Sequence, residues 1–147
     1  MRCNFDMGSL MAKKITTHEA LVYVMVLVSA SDSKMTDAEL ARMGEMSRYL
    51  PVFKGFEEEQ LLEYSRDCAS LLQLPEGLDI VLEVIRDTLP HKLYDTAYAL
   101  GVEVASADLA VQNEEIRMLQ MLRDRLGLDK LTCAAIERSA IARFRTV

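Results

Sequence analysis

The chain has 147 residues, half of them apolar, and a formal net charge of −6. That length suits one domain able to bury roughly 70% of the surface its unfolded chain exposes, and the acidic balance argues against nucleic acid, whose binders gather Lys and Arg against phosphate. Trp is absent while Leu, Ala, Met, Glu and Arg abound, a palette that favours helices because unbranched side chains lose little rotamer freedom there.

Residues 1–14 (MRCNFDMGSLMAKK) lack the long apolar middle of a secretory signal and read as a disordered leader ahead of a domain over 15–147. The first helix spans about Thr17 to Ser31. Leu21, Val24, Met25 and Val28 line one face while Val22, Val26 and Leu27 fill the other, which makes this helix central. Its longest apolar run, Ala20 to Val28, is about half of what a bilayer crossing needs, so the chain is not expected to be transmembrane. A second helix starts at Thr36, where Thr36-Asp37-Ala38-Glu39 fits a capping box, and continues to about Leu50. The third covers about Glu57 to Leu72, opened by three glutamates that suit the positive end of a helix dipole. A fourth begins at Pro75, a favourable first position, and ends before Pro90. The fifth runs from about His91 to Ala107 and the sixth from Asn113 to Leu126, with Gly127 as its stop. Asp129 caps a seventh that reaches the C-terminus. No window shows convincing strand alternation. The expected fold is all-α, one domain of about seven helices.

Cys3, Cys68 and Cys133 share no metal-type or redox spacing, and such an odd set reads as reduced thiols in the cytosol. Cys68 and Cys133 are expected to serve as small core hydrophobes. Catalysis finds little support. A di-iron bundle needs Glu-x-x-His pairs, and neither His18 nor His91 has a Glu three residues before it. No Ser or Cys stands in a nucleophile elbow, and no Gly-rich loop is present to cradle phosphate. The chain is therefore read as non-enzymatic.

An internal repeat is the most informative signal. A shift of 76 positions lays helix 1 on helix 5 and helix 2 on helix 6, giving two pseudo-repeated hairpins. Val26 meets Val102, Val28 meets Val104, Asp32 meets Asp108, Glu39 meets Glu115 and Leu50 meets Leu126. Leu40 over Ile116, Met43 over Leu119 and Met46 over Leu122 extend the apolar register. Each Asp follows a buried-stripe Val by four residues and sits near a helix C-terminus, where a carboxylate is unfavourable by about 0.3–1 kcal/mol. Each Glu lies in the first turn of the next helix, where the dipole favours it. Two readings follow. Either the aspartates accept hydrogen bonds from their own turns and the glutamates are caps, or Asp32, Glu39, Asp108 and Glu115 converge across a pseudo-twofold on a hard cation. All-oxygen ligands point to Ca²⁺, Mg²⁺ or Mn²⁺, with Asp37 and Glu114 as supplements. The loop from Asp32 to Glu39 is too short for an EF-hand and lacks its central Gly. A methionine stripe (Met35, Met43, Met46, Met118) is core at this spacing or, if exposed, a groove for a partner helix.

The run HEALVYVMVLVSASDSKMTDAELARMGEMSRYL, followed by TAYALGVEVASADLAVQNEEIRMLQMLRDRLGLD, resembles the tellurite-resistance TerB family over roughly residues 15–145. An Ala-rich helix ending in Ala-x-Asp, a Glu-bearing helix and a Leu-Gly-Leu break carry the likeness. The resemblance implies a cytosolic all-helical domain of about seven helices whose acidic residues are proposed to bind metal ions, working in tellurium-oxyanion resistance and stress response with membrane-associated and other Ter-type proteins. Its acidic positions fall on Asp32, Glu39, Asp108 and Glu115. Ser33 and Leu109 stand where the family commonly has Gly, so each corner loses an easy left-handed turn.

Overall fold

Helix α1 (Thr17–Ser29) has no solvent face beyond its first turn, because every residue from Glu19 to Ser29 is buried. A helix apolar on all sides needs neighbours all round. Helices α3 (Leu61–Leu72), α4 (Gly77–Thr88), α5 (Tyr94–Ser106) and α6 (Asn113–Leu126) supply them, while α2 (Asp37–Tyr49) touches α1 more lightly. The last helix, α7 (Lys130–Arg143), packs on α5. The computed structural model describes residues 14–29, 35–107 and 113–147. Within them the chain is a single all-α domain of seven α-helices and three short 3-10 turns, without strands. None of the described helices is long and apolar enough to cross a membrane.

Helix ends follow local chemistry. Thr36 caps α2 by accepting from the Glu39 N–H at 3.1 Å, and the Glu39 carboxylate accepts in return from the Thr36 N–H at 2.8 Å. Thr36→Ala removes one half of this box and is expected to lower the unfolding free energy by about 1 kcal/mol, read as a shift of the urea midpoint at unchanged slope. At α7, the Asp129 carboxylate accepts from the Thr132 hydroxyl at 2.7 Å and the Thr132 N–H at 2.9 Å. These bonds, the hydroxyl's first, hold its carboxyl below the usual range. Helix α6 closes with Gly127 at φ 68, its N–H bonded to Asp124 O and that of Leu128 to Arg123 O, the paired bonds of a Schellman motif.

Three predicted starts move. A 3-10 turn over Glu58–Gln60 precedes α3, which begins at Leu61 rather than Glu57, and Glu58 reaches back to Arg48 of α2 at 2.6 Å. Another, His91–Leu93, precedes α5, so that helix begins at Tyr94. Helix α4 starts at Gly77, not at Pro75. Glu76 ahead of it is left-handed at φ 61, and the Gly77 N–H closes the turn onto Leu74 O at 2.8 Å. So tight a reversal cannot begin as a helix at Pro75. The predicted leader, except Lys14, and the last residues of the first helix to Ser31 lie outside the described residues.

The repeat is visible in the fold. Shifted by 76, α1 and α2 fall on α5 and α6 to within one residue at each end. Met46 and its counterpart Leu122 are both buried, as are Leu126 and Met43, while Leu50 and Leu119 are half-buried. Polar clasps then fix the outer helices. The buried Tyr98 hydroxyl of α5 donates to Glu137 of α7, and Arg123 of α6 stands 3.7 Å from the same carboxylate. Arg143 of α7 pairs with Glu103 of α5 at 2.8 Å. At the other end, the His18 ring packs on Phe53 and Phe56 with centroids 5.8 and 5.5 Å away. Its Nε2–H donates to Val52 O at 2.9 Å, pinning the start of α1 to the α2–α3 connection.

Candidate functional site

The acidic corners join α1 to α2 and α5 to α6. Asp32 and Asp108 lie outside the described residues, so the structure places only their glutamate companions. Glu39 is half-buried and spends its carboxylate on the α2 cap, accepting from both the Thr36 N–H and, at 3.2 Å, the Thr36 hydroxyl. Glu115 occupies the equivalent turn of α6 but is only 5% exposed. A carboxylate removed from water to that degree depends on the dipole of its own helix N-terminus and on polar neighbours. Asp37 and Glu114, the expected supplements, are both exposed. Among the described residues no group of three or more His, Cys, Asp or Glu gathers to hold a metal ion.

Other candidates resolve into packing. Met43 and Met46 are buried at 1% and 2% exposure, so the methionine stripe is core and not an exposed groove. Met35 and Met118 are half-buried against the same core. Ser29 lies between two of these sulfurs, its hydroxyl 3.8 Å from Met35 Sδ and from Met43 Sδ, while donating to Met25 O at 2.7 Å. Cys68 and Cys133 are free and buried, and burial pushes both thiols up, away from reactive thiolate. His18 holds a backbone carbonyl, and His91 stacks on Tyr94 with centroids 4.6 Å apart.

Two features escaped the sequence reading. One is a buried polar pair, Glu19 and Tyr23, spaced i,i+4 on α1, with the Tyr23 hydroxyl donating to Glu19 Oε2 at 2.9 Å. The spacing was a usable signal. The other is an apolar groove of about 470 Å³ between the end of α2 and the face of α5, with Tyr49 and Val52 on one side and Ala99 and Leu100 on the other. Tyr49 is 59% exposed at its rim. The apolar run Tyr49-Leu50-Pro51-Val52 marks it in the sequence, although only the fold brings α5 opposite. In comparisons with protein-family models, curated proteins and solved structures, the chain matches none.

Proposed function

We propose that this chain is a TerB-like module of tellurite resistance and stress response that binds rather than catalyses. On this reading the two acidic corners hold a divalent cation, Ca²⁺, Mg²⁺ or Mn²⁺, and the helical surface engages other proteins, Ter-type membrane-associated ones included. The protein would then work in the cytoplasm and reach the inner membrane through such a partner. The observation that supports this most is the equivalence of the corners. Helices of matching bounds flank both, and Glu39 and Glu115 stand at equivalent places in the turn that follows each. Carboxylate oxygens are the donors that hard cations prefer.

Calorimetric titration with Ca²⁺ or Mn²⁺ tests the cation half. Wild type is expected to give stoichiometric heat and Asp32→Ala/Asp108→Ala none, with wild-type stability rising by about 2.7 kcal/mol at a hundredfold excess over Kd. Absence of heat in the wild type at about millimolar ion ends the cation reading. A second reading, a metal-free interaction scaffold, is favoured by the apolar groove beside α2.

A further inference from the structure

Helix α7 departs from the pattern of a surface helix. It packs on α5 through one side, where Cys133 and Ala140 are buried and Ile136 is half-buried. The opposite side of such a helix is ordinarily polar. With about 100° between successive residues, that side here holds Leu131, Ala134, Ala135, Arg138, Ile141 and Ala142. All six are exposed, Leu131 at 79% and Ile141 at 52%. Five of the six are apolar, so α7 carries an apolar stripe away from the core as well as toward it.

The charge on this stripe is positive and unanswered. Arg138 lies at its centre, Lys130 opens the helix and Arg145 follows it, and among the described residues none of the three is in an ion pair. The nearby acids are engaged elsewhere. Asp129 caps α7 at Thr132, and Glu137 accepts from Tyr98 on the α5 side. Arg143 is paired with Glu103 and stands apart from the stripe. Residues 130–147 hold four basic side chains against one acidic, so the chain's −6 divides into +3 there and −9 over residues 1–129.

These features select among occupants. A second copy in a twofold contact would set the same cations against each other, with no carboxylate on the stripe to answer them. Three of the six residues are alanines, which offer a protein partner no large anchor. A bilayer containing anionic lipid asks only for apolar area and positive charge. Leu131 and Ile141 can enter its acyl boundary, while Arg138 keeps its stem among them and lifts its guanidinium to phosphate oxygens. The same surface repels the −9 remainder, so this side of the molecule is the one that faces it.

We propose that the outward side of α7 docks peripherally on a membrane surface containing anionic phospholipid. The contact is the chain's own, beyond any route to the membrane through a partner, and it does not involve the acidic corners. The full chain, in chelator, is sedimented with vesicles of phosphatidylcholine alone and of phosphatidylcholine and phosphatidylglycerol in equal parts. Co-sedimentation is expected with the anionic vesicles only, and salt at about 0.5 M is expected to release it. Arg138→Glu should weaken the partition at least about tenfold, because it both removes a cation at the surface and adds an anion. Leu131→Ser should weaken it as well. Arg66→Glu makes the same charge change at an exposed position on α3 and should cost much less. All three positions are exposed, and unchanged urea midpoints keep loss of fold apart from loss of docking. No co-sedimentation with anionic vesicles overturns the proposal, as do equal binding to neutral ones and equal losses in Arg138→Glu and Arg66→Glu. Failure with vesicles, alongside polyglutamate binding that Arg138→Glu abolishes, overturns it in favour of an acidic protein surface. A dimer that Leu131→Ser dissociates, without vesicle binding, overturns it in favour of a second copy. Because chelator is present, failure here leaves the cation reading to its own calorimetric test.

Discussion

Gly77→Ala is expected to lower the unfolding free energy by about 3 kcal/mol, and Gly77→Val to prevent folding. A Cβ at this position would stand 2.2 Å from the Leu71 carbonyl oxygen and 2.8 Å from both the carbonyl carbon and oxygen of Leu72. These are backbone atoms in the last turn of α3, so no side-chain rotation relieves the clash. Helix α4 must instead back away from α3, and its contacts with α1 and α6 loosen as it goes. Gly55→Ala is the control. Nothing lies within 4 Å of a Cβ there, and only the positive φ of 86° opposes the change, a strain of about 1 kcal/mol. Urea denaturation of the two variants checks the claim. Equal losses for both would show that close approach at Gly77 is not what sets the turn.

Alkali is expected to unfold this protein steeply. Tyr23, Tyr98 and Cys68 are 2%, 1% and 0% exposed. Burial first, then the carboxylate of Glu19 beside Tyr23 and of Glu137 beside Tyr98, pushes the phenols above their ordinary value of 10.0. Burial, with Glu19 and Asp67 adding, pushes the Cys68 thiol above 9.0. The unfolded chain gives up these protons at the ordinary values while the folded chain keeps them. Above about pH 9 the folded state therefore binds more protons than the unfolded one, and stability falls as pH rises. The contribution is intact below the thiol's ordinary value and goes fastest beyond that of the phenols. Each group removes about 1.4 kcal/mol per pH unit once fully engaged, so three remove about 4 kcal/mol per unit near pH 11. That is comparable with the whole stability of many domains. Urea midpoints at pH 8, 10 and 11 measure it, and Tyr23→Phe should remove about a third of the slope. A flat profile across that range would contradict the burial of these groups.

Much of the fold could be read from residue order because the punctuation was unambiguous. Thr36 with Glu39, Gly127 with Leu128, and Asp129 with Thr132 each form the cap their side chains suggest. Reading failed where tertiary contact overrides local preference. Pro75 is an ordinary helix opener, yet α4 starts at Gly77 because the chain must turn back against Leu71, a contact no local pattern encodes. Glu57 to Glu59 suit a helix dipole, but Glu58 is drawn to Arg48 and the backbone tightens into a 3-10 turn. The candidate site was legible only in part. Repetition exposed Glu39 and Glu115 as a pair, whereas the different surroundings of the two, a capping box at one and burial at the other, depend on packing. The groove was hidden for the same reason: only the fold brings α5 opposite the end of α2.

The enclosure of α1 carries a further consequence. Val22, Val24, Val26 and Val28 alternate along it, and β-branched residues at every second place are poor helix formers and good strand formers. Local bonds serve its ends, with the Glu19 N–H donating to the Thr16 hydroxyl at 3.0 Å and Ser29 to Met25 O, while its valine-rich middle is enclosed by five neighbouring helices. Until they assemble, during synthesis or after partial unfolding, the segment Ala20–Val28 is uncharged, free of proline and glycine, and suited to cross-β stacking. The residues at the centre of this core thus have the composition that favours cross-β pairing while unpacked, and a lesion that delays docking of α3 or α4 is expected to lower solubility.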